Sequence, residues 1–372
     1  MKSPRPACRL VALLGIGVGV LATPALAQDC PAFVGSVEIE TGVVYPRGAV
    51  AVSDGYAYVA ANSAGLRVID VRMPSTPIEV GSLDTPGDAM NLAVSGSHVF
   101  VADGSSFSTR VIDVSIPSAP VEVGVIDTGY LEPEGVAVAG DYAYVVAWEG
   151  SIPGLGLHVI DVSSPSAPFQ VGVLNWVGAA RGIVVSGGYV YVAGVWWNGG
   201  GFGLNVIDVS TGFSPFERGF CEVAGAWEVS ASNGYAYVVP SDWGAWPDEY
   251  NLTVIDVDNP ELPTQVGFHE FGPLWRPTHV AISQDYAYVP VWEYSQAVSS
   301  LRVIDVSTPS APVEIGFADT DGYPSGIAAS GGYVYAVFAD AIGIHMDIFR
   351  ECGTFSDGFE SGDTSAWSAT VP

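Results

Sequence analysis

Lysine is almost missing: Lys2 is the only one in 372 residues, and 12 basic residues stand against 40 acidic ones, for a formal net charge of −28. Nucleic acid and anionic lipid both need clustered Lys and Arg to displace counterions, so both are excluded as partners. Cations, cationic partners and neutral ligands remain open, and acidity alone also keeps an exported protein soluble. Cysteine is scarce, with four residues and no CxxC pair. There is no HExxH, no G-x-S-x-G elbow and no phosphate loop. The histidines His98, His158, His269, His279 and His345 are scattered. No metal cluster or catalytic triad is therefore supported, and no catalytic residue is assigned. Beyond residue 27 no apolar run approaches the roughly 18 to 20 residues of a membrane span.

The first 27 residues carry Lys2, Arg5 and Arg9, then the apolar run LVALLGIGVGVLA, then Ala25-Leu26-Ala27. That is the layout of a cleaved secretory signal. Cys30 lies too far along to be a lipoprotein acceptor. Residues 1–27 are thus expected to be removed, 28–353 to form the folded domain and 354–372 a short acidic tail. The product is expected outside the cell or on its surface, with the periplasm as the alternative. With 14% charged and 49% hydrophobic residues, the chain has the composition of a packed globular protein. A monomer is the default expectation.

What is abundant is repetition. LRVIDV (66–71), TRVIDV (109–114), LHVIDV (157–162), LNVIDV (204–209), LTVIDV (252–257) and LRVIDV (301–306) recur, with a degenerate copy, IHMDIF, at 344–349. The aspartates Asp70, Asp113, Asp161, Asp208, Asp256, Asp305 and Asp347 are 43, 48, 47, 48, 49 and 42 residues apart. Each unit reads as four short strands, A to D from the inside outward, rich in β-branched and aromatic residues and separated by Gly, Asp or Ser-Pro turns. Seven such units predict an all-β, seven-bladed β-propeller of four-stranded antiparallel blades. Strand B places rings two residues apart, as in Tyr56/Tyr58 and Tyr142/Tyr144, which puts both on one face to fill the wedge between blades. The repeated aspartate is expected to cap the turn from C to D.

The seventh copy has no D strand after it. Cys30 to Gly35 aligns instead with Ala119 to Gly124, and Cys352 falls at the place of Ser118. The N-terminal strand should therefore complete the last blade, and the two ends should meet as a Cys30–Cys352 disulfide in an oxidising compartment. Cys8 leaves with the signal, and Cys221 is expected to be buried, inert and without a partner.

The L-x-V-I-D-V units with their Pro-Ser-Ala-Pro turns resemble the LVIVD-repeat family of exported bacterial and archaeal surface proteins, some of which carry C-terminal anchors. The resemblance covers about residues 30 to 352 and implies a propeller with a surface role. It implies no reaction and no catalytic residues.

In such a ring the B-to-C and D-to-A connections emerge on one face. Trp148, Trp196, Trp197, Trp243, Trp246 and Trp292 map to B-to-C connections, and Trp176, Trp227 and Trp275 to D-to-A connections. All of these tryptophans thus fall on one face, in an arc over the third to sixth units. They form either a platform for a glycan or a surface protein, or a lid of buried indoles. Nearer the axis, Arg47, Met90, Glu134, Arg181, Trp227, Thr278 and Ser325 are placed just before each A strand, with Asn91, Glu228 and His279 beside them. These either bind a small ligand at the channel mouth or pair with one another. Asp319-Thr-Asp321-Gly322 and Asp256-Val-Asp258-Asn259 are fragments of calcium loops lacking the remaining ligands, so no cofactor is assigned and calcium is the one candidate. The leading expectation is a non-enzymatic binding module. A lyase or hydrolase at the channel mouth and a purely structural envelope protein are the rivals.

Overall fold

A computed structural model of the chain describes residues 30–39, 48–129, 131–148, 155–176, 178–196, 201–240, 250–340 and 343–353. The signal and tail segments lie outside the described residues, as do Arg47, Trp197, Trp243 and Trp246. The strands, numbered β1 to β29 along the chain, form seven antiparallel sheets. The first blade is β2 (Ala49–Ser53), β3 (Tyr56–Ala60), β4 (Leu66–Asp70) and β5 (Ile78–Leu83). The inner strands that follow are β6 (Ala89–Ser95), β10 (Glu132–Ala139), β14 (Gly178–Ser186), β18 (Ala226–Ser232), the pair β22 (Trp275–Pro277) and β23 (Ala281–Ser283), and β27 (Tyr323–Ser330). Each inner strand lies against those of both neighbouring blades, and the circle closes where β2 meets β27. This is the seven-bladed propeller that the repeat predicts. Among the described residues no helix is long and apolar enough to cross a membrane.

There is no single core. Buried apolar side chains form seven clusters, one at each blade boundary. Tyr58 packs with Leu92, Val99, Val101 and Ile112 of the second blade, and Tyr335 with Val50, Val59 and Ile69 of the first. The second ring of each strand-B pair is buried in six blades, with Phe100 in the remaining one. Each such ring contributes about 2 kcal/mol by leaving water.

The repeated aspartates do cap turns. Oδ1 of Asp70, Asp113, Asp161, Asp208, Asp256 and Asp305 accepts the backbone N–H two residues on, at 2.8 to 3.1 Å. The Ser210 hydroxyl and N–H, followed by Arg218, hold the Asp208 carboxyl down at about 2. Asp347 departs from this pattern because β1 (Ala32–Ile39) arrives where the turn would be. Burial pushes its carboxyl up, opposed by the Ser36 hydroxyl.

That arrival closes the ring. β1 pairs antiparallel with β29 (Ile344–Arg350), from Ala32 opposite Arg350 to Ile39 opposite Ile344, and β29 pairs with β28 (Tyr333–Ala339). Cys30 and Cys352, 322 residues apart, form the expected disulfide with Cα atoms 5.4 Å apart. Cys221 is fully buried as expected, but it is not a free thiol, which corrects the expectation that it stands alone.

The outer strand of every blade carries a bulge just before one glycine, and β1 repeats it between Phe33 and Gly35. A Cβ on these glycines would meet a backbone carbonyl of the next blade: Gly81 meets Pro117, Gly124 meets Pro165, Gly219 meets Pro260 and Gly267 meets Pro309. At the seam Gly316 faces the carbonyl of Cys30, and Gly35 faces that of Pro74, so the series runs around the whole circle. A methyl group at Gly124 has no flexible side chain to displace. Gly124→Ala is expected to cost about 2 kcal/mol or more in urea unfolding. An unchanged midpoint would contradict this close approach.

One inner strand differs from the uniform pattern expected. In the sixth blade it breaks between Pro277 and Ala281, opposite Pro290 of β24 (Tyr286–Glu293). Proline has no N–H to give the ladder. Thr278 donates both its N–H and its hydroxyl to the Pro290 carbonyl, at 3.1 and 3.3 Å, and His279 falls in the break.

Candidate functional site

The inner strands of five blades have a bulge at the same height, and the residues passed over in the pairing are Met90, Glu134, Arg181, Trp227 and Ser325. The sequence placed these just ahead of the strands. They lie inside them, because pairing resumes upstream of each bulge. An extra residue bends the strand and re-aims its side chain, a common device beside functional sites. Here it brings non-repeating side chains together near the axis. Glycines allow the crowding: a Cβ on Gly182 would lie 2.5 Å from the Trp227 carbonyl.

Four of the expected residues meet there. Arg181 Nε lies 3.3 Å from Glu228 Oε1, and His279 Nε2 lies 4.0 Å from the same oxygen. Glu134 is buried, and its charge acts on Glu228. Arg181, Glu228 and His279 side chains are only 12 to 13% exposed. Burial raises the Glu228 carboxyl to about 7, with Arg181 opposing and Glu134 reinforcing the shift. Burial, helped by the Arg181 charge, pushes the His279 ring well below its ordinary 6.5, so it is neutral at pH 7. Arg181 Nε, Glu228 Oε1 and both His279 nitrogens have no hydrogen-bond partner within the described protein. Two of the other expected residues of the ring bond to the scaffold: Ser325 donates to the Val337 carbonyl, and Asn91 accepts from the Val136 N–H.

The tryptophans divide. Trp148, Trp196 and Trp292 stand at or near the ends of B strands rather than in loops, since β11 (Tyr142–Trp148) ends on Trp148, β15 (Tyr189–Trp196) ends on Trp196 and β24 runs past Trp292. Trp196 is 3% exposed and packs edge-on against Phe220 at 5.6 Å, so it belongs to the wedge between the third and fourth blades. Trp227, Trp275 and Trp292 are half-buried. Trp275 lies under the Arg302 guanidinium at 4.6 Å, and Trp292 meets Tyr323 edge-on at 5.6 Å.

Beside them lies a group the sequence reading missed. Arg276, opposite Trp292 in the pairing, stands over the rings of Tyr250 at 5.6 Å and Tyr294 at 5.5 Å. Tyr294 is 72% exposed. The signal was present in the neighbouring pairs Trp275-Arg276 and Trp292 to Tyr294, but counting tryptophans alone passed over it. Glu293 holds this corner by accepting the Ser295 hydroxyl at 2.6 Å and the N–H groups of Ser295 and Gln296.

Elsewhere a cleft of about 440 Å³ opens between the third and fourth blades at their turns, lined by Tyr142, Tyr144, Ser186, Gly188, Ser210 and Gly212 among others. It presents no charged group. Among the described residues no cluster of three or more His, Cys, Asp or Glu is arranged to hold a metal ion.

A family model described as the LVIVD repeat matches residues 48–85, 86–128, 133–175, 177–223, 225–268 and 278–320. No curated protein matches the sequence. Among solved structures, the fold is similar to BamB from Moraxella catarrhalis, with 14% identity, TM-score 0.53 and coverage of 86% of this chain and 99% of that one. It is also similar to the β-propeller domain of Cps50 (Swd1) from Myceliophteria thermophila, with 13% identity, TM-score 0.59 and coverage of 85% and 99%. A protein from Lactobacillus plantarum matches at 15% identity and TM-score 0.59, over 75% of this chain and 86% of the other. At these identities the likeness is one of fold.

Proposed function

The chain belongs to the LVIVD-repeat family, and from that premise we propose that it is an exported, non-enzymatic binding module whose tryptophan-bearing face holds a neutral glycan. One observation carries the reading. The half-buried rings of Trp227, Trp275 and Trp292, the exposed Tyr294 and the Arg181–Glu228–His279 group all belong to the fourth to sixth blades at one end of the ring. Indole and phenol faces take the apolar faces of sugars while the polar groups take hydroxyls. A net charge of −28 disfavours anionic polysaccharides and leaves neutral ones. The Cys30–Cys352 disulfide suits the oxidising compartment that a cleaved signal would lead to.

Retention on insoluble neutral polysaccharides and on cell-wall preparations tests this reading. Trp275→Ala/Trp292→Ala and Trp243→Ala/Trp246→Ala are each expected to reduce retention at least tenfold, whereas Phe169→Ala on the outer rim leaves it unchanged. Equal retention of all variants would contradict a role for this face.

A second reading has one observation in its favour. A buried carboxyl poised near 7 has the pKa of a general acid or base. Turnover of a glycan that is lost in Glu228→Gln, with binding kept, would put a lyase or hydrolase in place of the binding module.

A further inference from the structure

The seven-fold repetition separates scaffold from site. Positions that recur around the ring have structural partners. Arg67, Arg110 and Arg302 occupy one strand-C position and pair with Glu79, Glu122 and Glu314 in strand D, and His158 meets Gln170 in the same way at 2.7 Å. The bulge position does not repeat, and the one after it is glycine in three blades and a polar side chain in the others. They read Met90-Asn91, Glu134-Gly135, Arg181-Gly182, Trp227-Glu228 and Ser325-Gly326, with Thr278-His279 at the break in the sixth blade. Where the residue type varies at a structural position, as between Arg110 and His158, a strand-D side chain still answers it. Different types at one height, set by bulges in five blades and by the break in the sixth, are what an asymmetric ligand needs.

We infer that Glu134, Arg181, Glu228 and His279 form an axial subsite that takes one neutral, hydroxyl-rich ring, such as the terminal sugar of a glycan or a free monosaccharide. This rests on the glycan-binding reading above and names the group that enters the axis. The charges select the class. Arg181 is already offset by Glu228, and Glu134 adds a second carboxyl, so an anion meets a net negative surround. A cation meets the Arg181 guanidinium. A hydroxyl both donates and accepts. It can accept from Arg181 Nε–H, donate to Glu228 Oε1, and do either with the neutral His279 ring, and none of these atoms, though close to one another, makes a hydrogen bond within the described protein. Leaving such groups unmatched in a buried site penalises ligands that lack hydroxyls. Trp227, whose backbone carries the bulge beside Glu228, is half-buried and offers an apolar face at the same height.

The test is a titration of the purified full chain at pH 7 with glucose, galactose, mannose and N-acetylglucosamine, alongside glucuronic acid and glucosamine. It is read by calorimetry and by the ¹⁵N resonances of the His279 ring. At least one neutral sugar is expected to shift those resonances and to bind at least tenfold more tightly than glucuronic acid. Its affinity should fall about tenfold in both His279→Gln and Glu228→Gln, the loss of about one matched hydrogen bond in a buried site. Two separate variants keep the result readable if one of them fails to fold. If polysaccharide retention is intact but no neutral sugar moves the His279 signals, or both variants bind as wild type, the axial inference is overturned and the tryptophan face stands. If neutral sugars bind at the axis while retention is unaffected by the tryptophan changes, the axial subsite stands and the platform falls. Tighter binding of glucuronic acid or glucosamine than of every neutral sugar overturns the assigned class.

Discussion

Cys30→Ser/Cys352→Ser, or the wild type under reductant, is expected to unfold with about 5 kcal/mol less free energy than the oxidised protein. The estimate follows from the chain separation: a cross-link closing 322 residues removes roughly 5 to 6 kcal/mol of denatured-state freedom in the chain-entropy model, and measured cases tend to fall below it. Local packing at the seam adds to the effect. The Cys352 N–H donates to the Tyr288 hydroxyl at 2.9 Å, and Gly316 of the sixth blade packs on the Cys30 carbonyl. Freed from its anchor, β1 would tend to fray and uncover Ile39, Ile344 and Ile348 in the wedge between the seventh and first blades. Guanidinium unfolding with and without reductant measures the difference. A change below about 1 kcal/mol would mean that the ring is held by its strand pairing alone.

The second large effect is expected at Glu228. Its carboxyl titrates near 7 in the folded protein against an ordinary 4.5, because burial and the Glu134 charge outweigh the Arg181 guanidinium, while the neutral His279 ring faces it from the sixth blade. Below 4.5 the group is protonated in both states and costs nothing. Between 4.5 and 7 the folded protein keeps a proton that the unfolded chain gives up, so stability falls as the pH rises, and above 7 the whole penalty applies. Glu228→Gln cannot ionise. Its stability relative to wild type is expected to rise by on the order of 3 kcal/mol between pH 4 and pH 8. Chemical unfolding at a series of pH values checks this, and a pH-independent difference would show that Glu228 titrates as an ordinary surface carboxyl.

The architecture was legible because its rules are local and repeated. The period-two rings of strand B, the Asp-Val-Ser-x-Pro turns and the missing last strand each appear in the sequence several times or leave a visible gap. They led to the wedges at Tyr58 and Tyr335, the Asx turns and the Cys30–Cys352 seam. The bulges were not legible. A bulge adds one residue without changing the hydrophobic alternation enough to mark it, so Glu134 and Arg181 were placed ahead of their strands rather than within them. The break at Thr278 to Val280 depends on Pro290, a residue of the partner strand. Trp196 read as a loop residue because the Trp196-Trp197 pair stands before a glycine run. Strand pairing continues to Trp196, whose opposite residue is Gly178, and the ring turns inward onto Phe220. The right residues of the axial group were named from their height in the repeat. Their contacts depend on how neighbouring blades pack, which no single repeat contains.

Everything at the axis relies on the circle being closed by the first strand. Amide hydrogen exchange of β1 is the direct test. Val37 and Ile39, paired with Met346 and Ile344, should exchange as slowly as the amides of β28 and β29 in the oxidised protein and lose that protection together with them. Exchange of residues 34–39 at the rate of an unstructured chain, while β28 and β29 stay protected, would show that the seventh blade is completed in some other way.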